Sequence, residues 1–158
     1  LIIFVSGSCF AQTDDEMAKN CISAYYSKIN DKDLKGAYSI RSLREQKENP
    51  FSRWQANWNN NMNIGIYSGI DVKKNDGKRA IVEYSLGSQD RAGKDEIEYG
   101  SYLAKAVLVK EGKSWKIDSI DVKTKAVERV KNFEKERYQK NTQRRLMSFF
   151  NYLLFFSF

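Results

Sequence analysis

The 158-residue sequence has no histidine, one proline and two cysteines. Each shortage closes off chemistry. Without an imidazole there can be no Ser-His-Asp triad, no Cys-His pair, no histidine–carboxylate dehydration and no His-ligated zinc. Cys9 and Cys21 are too few for a thiolate metal site or a disulfide framework. Pro50 alone excludes a proline-rich linker. No phosphate- or dinucleotide-binding glycine pattern occurs, because Gly65 and Gly69 have the wrong spacing and interrupt strand-like sequence instead of opening a helix. The expectation is therefore no metal, no cofactor and no catalytic set.

What is present is 41% hydrophobic and 30% charged residues, the composition of a folded globular domain. The length allows one domain with a sizeable core plus extensions. The net charge of +7 is unevenly placed. Between Lys123 and Arg145, nine Lys or Arg face three Glu, which leaves 18 of the 27 basic and 17 of the 20 acidic residues for the rest. The basic character belongs to a C-terminal arm and is not a nucleic-acid signature of the whole chain.

Both ends stand apart in composition. Leu1 to Val5 is an apolar run, followed by Ser6-Gly7-Ser8 and Cys9-Phe10-Ala11. This is the pattern of the back half of a secretory signal peptide with a small-x-small cleavage site. Two rival readings are a lipidated Cys9 and a buried N-terminal strand. Arg144-Arg145 precedes a mainly apolar and aromatic segment of thirteen residues, Leu146 to Phe158, too short to span a bilayer as a helix, which takes about 20. That tail reads as a truncated or frame-shifted end, as an interfacial anchor acting with the basic arm, or as a segment that packs on the domain or a partner. The expected location is exported: periplasmic, cell-envelope or secreted.

Between the ends, Met17, Cys21, Ile22, Tyr25, Tyr26 and Ile29 make an apolar stripe at helical spacing, opened by Thr13 or Asp14 as a cap. Asn30 to Asp33 ends that helix. Leu34, Ala37, Tyr38 and Leu43 outline a shorter second one, and Pro50 begins a third that carries Phe51, Trp54 and Trp58. Strand signals follow from Ile64. Asn75-Asp76-Gly77 is a hairpin turn, Ala80 to Leu86 alternates, and residues 87–95 read as a polar loop. Glu96 to Lys110 is a long strand, turning at Gly112 into Trp115, Ile117 and Ile120 to Val122. Ala126, Val127, Val130 and Phe133 give the arm a weak helical stripe. The expected division is a signal-peptide remnant (1–11), a domain (12–122), a basic and possibly helical arm (123–145) and an apolar aromatic tail (146–158).

Helices first and a strand meander second is the order of an α+β domain with N-terminal helices on a curved antiparallel sheet. Residues 14–122, with the Tyr25-Tyr26…Asp31…Asp33…Ala37-Tyr38 helix pair and the closing Gly112-Lys113-Ser114-Trp115-Lys116-Ile117-Asp118 hairpin, resemble the nuclear-transport-factor-2-like superfamily, a cystatin-like cone. They look most like its small exported bacterial members. The resemblance implies a pocket at the open end, between first helix and sheet. It also implies a range of uses, from dehydratases, isomerases and cyclases to noncatalytic binding and dimerising modules, so it does not select a function.

Two uses remain open to the residues. Tyr25, Tyr38, Trp54, Trp58, Tyr84 and Tyr102 come from different elements and can converge as an aromatic wall for a small amphipathic ligand, or can serve as plain core. Trp54 and Trp58 are expected to border the opening. Alternatively, a His-free isomerase or cyclase-like enzyme would use Glu83 or Glu98 as base, with Tyr38 or Tyr102 as hydroxyl donor. Alternation places both glutamates toward solvent. The further partners considered are a second copy through the sheet and a membrane surface met by arm and tail. Nucleic acid is the weakest, since the arm carries only Phe133 and Tyr138 for stacking.

Overall fold

The computed structural model describes residues 12–131. The leader, the arm beyond Lys131 and the tail lie outside them, and with them the export, lipidation and anchoring expectations.

Helix α1 (Asp14–Asn30) starts with a reciprocal cap: the Glu16 amide donates to Thr13 Oγ1 (3.2 Å) and the Thr13 amide to Glu16 Oε2 (2.9 Å). Its stripe buries Ala18, Ile22, Tyr25, Tyr26 and Ile29. Its far end is fixed to the sheet, where Asn30 Oδ1 accepts from the Ile64 amide (2.8 Å). Helix α2 (Leu34–Ser39) is capped by Asp33. Leu43 is not part of it. Residues 40–42 leave the helix because Ser42 donates to the Ile117 carbonyl and Ile117 to the Ile40 carbonyl, a parallel bridge onto the sheet. Leu43 then opens a separate helix α3 (Leu43–Glu48) with Ser42 as cap, and stands 71% exposed. Pro50 caps α4 (Phe51–Ala56), one position before the helical position expected.

Five antiparallel strands follow: β1 (Asn61–Ile66), β2 (Asp71–Asn75), β3 (Arg79–Arg91), β4 (Glu96–Glu111) and β5 (Ser114–Lys131). Strand β4 lies between β3 and β5, while β1 and β2 pair with opposite halves of β3. Gly77 (φ 80°) and Gly112 (φ 62°) take the left-handed conformation that the two hairpin turns require. Ala80, Val82, Tyr84 and Leu86 of β3, Ala104, Ala106 and Leu108 of β4, and Trp115 and Ile117 of β5 make the buried face on which α1 rests.

Two stretches depart from the sequence expectation. Residues 87–91 are not loop, because β3 runs to Arg91 and only Ala92 to Asp95 turn the chain. Polar residues there do not end the strand, since both faces at that end of the sheet are partly solvated. The arm is not helical as far as it is described: residues 123–131 extend β5 along β4. A bulge precedes the residues that gave the helical spacing. Tyr102 pairs with Thr124 and Ser101 with Ala126, so Lys125 is an extra residue, and Thr124 and Val127 share a face three positions apart. From Ala126 to Lys131 the pairing is regular, and Val127 and Val130 lie on opposite faces of the strand.

Candidate functional site

The aromatic residues come together, but as a packed interior. The Tyr25 ring contacts those of Tyr26, Trp54 and Trp58 at centroid distances of 5.0, 6.3 and 6.3 Å. Tyr38, Phe51 and Trp54 continue the cluster, and Tyr26 meets Tyr84 across the α1–sheet interface at 5.9 Å. Tyr25, Trp54 and Tyr84 are buried; Tyr38, Trp58 and Tyr102 are half-buried at the margin of the same core. Trp54 therefore does not border an opening. The hydroxyls answer one another. Tyr26 Oη and Tyr84 Oη are 3.1 Å apart, and Tyr25 Oη accepts from Arg41 Nη1 (3.2 Å) and Trp54 Nε1 (3.3 Å). Arg41 is itself buried and ion-paired with Glu45. Burial pushes all three tyrosines above their ordinary value, and it lifts the Cys21 thiol to about 12. Cys21 is a free thiol donating to the Trp115 carbonyl (3.3 Å), chemically quiet at neutral pH.

The proposed bases are occupied. Glu83 lies on the outer face, 3.8 Å from Lys105. Glu98 bonds Arg129 Nε at 2.7 Å. It is a register partner of Asp90, in the inward-facing row with Leu86–Tyr102 and Ser88–Gly100, so it does not point to the outside as alternation implied. Tyr38 Oη lies 2.9 and 3.0 Å from the carbonyls of Gln46 and Asn49. It is therefore tied into the α3–α4 connection.

Where α1 ends on β1, the inward row of the sheet continues without helix cover, and Val127 is 48% exposed there. Here lies a polar cluster that sequence reasoning missed. Ser88 Oγ donates to Asp90 Oδ2 (2.6 Å), and Asn61 Nδ2 donates to Asp90 Oδ1 (2.9 Å). Tyr102 Oη stands 3.5 Å from Ser88 Oγ. The position of Tyr102 is built by Gly100: a Cβ there would lie 2.0 Å from Tyr102 Oη. Two clefts lie elsewhere on the sheet, and neither is lined by these residues. One of about 280 Å³ sits at the β3–β4 turn, lined by Met62, Arg91, Lys94 and Ile97. One of about 230 Å³ lies beside Glu83, Leu103, Lys105 and Lys123. No group of three or more His, Cys, Asp or Glu among the described residues is arranged to hold a metal.

No known protein family matches the chain, and no curated protein matches it. Among solved structures it is similar to a proposed scytalone dehydratase from Novosphingobium aromaticivorans. The TM-score is 0.55 with 13% identity, over 72% of this chain and 85% of that one. Likeness at that identity speaks for the fold alone. Helices laid on a curved antiparallel sheet are the α+β architecture of the nuclear-transport-factor-2-like fold. It is a scaffold that accommodates ligand binding or catalysis.

Proposed function

We propose that this protein is a noncatalytic binding or assembly module, a small exported member of the nuclear-transport-factor-2-like group. One observation carries the reading. The space where the fold would keep a reaction chamber is filled by the protein's own rings, with Tyr26 and Tyr84 bonded to each other and Tyr25 to Arg41 and Trp54. Glu83 and Glu98 are both in ion pairs. A carboxylate acting as proton shuttle beside a tyrosine needs the opposite: an open, apolar pocket that leaves the acid unpaired. Ligand contact then falls to the uncovered part of the inward face beside Tyr102. A second copy would meet the outer face, where Tyr67 and Leu103 are 58% and 39% exposed. Export rests on the apolar leader, and contact with an anionic membrane surface on the basic arm and aromatic tail.

The test is tryptophan fluorescence during titration with neutral, anionic and cationic amphiphiles. A saturable change with at least one class is expected. A flat response to every class, with a monomer at all concentrations in sedimentation, would sink both halves of the proposal. A second reading, the His-free enzyme, draws support from Asp90 lying in the same cluster as Tyr102. It requires turnover that disappears in Asp90→Asn.

A further inference from the structure

Building on the ligand-binding reading, we infer that the open end of the cone holds a site for an organic cation. A primary ammonium or guanidinium group would be held by Asp90, Asn61, Ser88 and Tyr102.

The charge arrangement comes first. Asp90 and Glu98 are register partners on adjacent strands, so their carboxylates leave the sheet side by side. Cβ atoms in such pairs are about 5 Å apart, and like charges there repel. Among the described residues Glu98 has its own cation, Arg129, bonded to it. Asp90 is half-buried and has no ion pair among the described residues. Its oxygens accept only the neutral Ser88 hydroxyl and Asn61 amide, although a carboxylate offers about four acceptor positions. Lys32 Nζ donates to the Asn61 backbone carbonyl (2.7 Å) and forms no ion pair with Asp90 among the described residues.

The second observation is independent of charge. Asn61 is 7% exposed, and its Oδ1 is buried without a hydrogen-bond partner. Turning the amide over does not help, because it would set oxygen against the Asp90 carboxylate and leave the donor end orphaned. A buried acceptor left empty costs free energy, so this oxygen has capacity for a further donor beside Asp90.

Together these groups present acceptors, a carboxylate without an ion-pair partner among the described residues and an aromatic edge, partly withdrawn from water. The complement is positive, rich in N–H donors and attached to an apolar stem, which Val127 in the Gly100 row can receive. An anion is opposed by the unpaired carboxylate. A hard metal ion is poorly served, because calcium takes about 6–8 oxygen ligands.

The experiment follows the Asn61 side-chain amide and Tyr102 ring signals by NMR on the full chain during titration with n-butylammonium, n-butanol and butyrate, three probes sharing one stem. Saturable shifts with n-butylammonium alone are expected, weakened at least tenfold by Asp90→Asn. Arg129 is 68% exposed, and Arg129→Gln frees Glu98 as a second unpaired carboxylate. It should tighten binding several-fold, which keeps the test alive if Asp90→Asn does not fold. Equal response to all three probes, or no effect of either substitution, overturns the cation assignment while leaving a ligand surface in place. Silence of the whole inward face toward these probes and the wider amphiphile panel overturns the ligand-binding reading itself.

Discussion

Replacing Tyr26 by Phe deletes one hydroxyl from the centre of the molecule and strands another. Tyr26 and Tyr84 are 4% and 2% exposed, and each hydroxyl has the other as partner at 3.1 Å. If the interior is closed and dry, Tyr26→Phe leaves the Tyr84 hydroxyl buried without a bond, costing about 1–3 kcal/mol. Tyr84→Phe costs the same for the mirrored reason. The double substitution removes both polar groups, keeps both rings, and should be neutral to within about 1 kcal/mol. The coupling between the sites is then as large as the two single effects together and opposite in sign. Urea unfolding followed by far-UV circular dichroism, with midpoints compared at equal slope, measures this; each kcal/mol corresponds to roughly 3–6 °C in melting temperature for a domain of this size. Near-neutral single variants would mean that water replaces the missing partner. The interior would then be a wet chamber, and the argument for a noncatalytic module would fail. Costs that simply add in the double variant would refute the mutual bond.

Gly100→Ala sets a Cβ 2.0 Å from Tyr102 Oη and 2.3 Å from its Cζ, so the ring must leave the sheet. A gain of about 0.5–1 kcal/mol from replacing glycine in a strand offsets the displacement. The melting temperature should therefore hold within a few degrees while the Tyr102 ring signals move and n-butylammonium binding is lost; a large fall in stability would contradict that Tyr102 can swing free. Stability should also decline in alkali. Burial raises Tyr25, Tyr26 and Tyr84 above their ordinary value and Cys21 from 9.0 to about 12. The folded state thus holds protons that the unfolded chain has released. The contribution is complete below about pH 8.5 and is lost as pH climbs through the folded values. Urea midpoints between pH 7 and 11 should fall, and a flat or rising profile would show the hydroxyls and the thiol to be exposed.

What could be read in advance follows from how local each signal is. Helix α1 was legible because its cap, stripe and terminator all lie within one stretch, Thr13 to Asp33. So was the turn at Asn75-Asp76-Gly77. The continuation of β3 and β5 was hidden, since strands solvated on both faces carry no alternation, and the bulge at Lys125 replaced a step of two with three. The convergence of the aromatics was legible, but not whether they form a wall or a core, because the same residue types suit both. Asn61, Ser88 and Asp90 could not be picked out. Asn61 falls between the last helix and the first strand signals, and Ser88 and Asp90 fall in the polar loop, so only the pairing of β1 with the far half of β3 gathers them.

Strand β5 is a border of the sheet, and among the described residues the segment 40–44 covers it at Ile117 and Asp118. Beyond that point it offers backbone groups to any passing chain, a common route to runaway polymerisation. Lys123, Lys125, Arg129 and Lys131 crowd this border, and the extra residue at Lys125 breaks its register. Two molecules approaching rim to rim would meet charge against charge and fall out of step. The same stretch that looked merely basic therefore guards this border against seeding fibres.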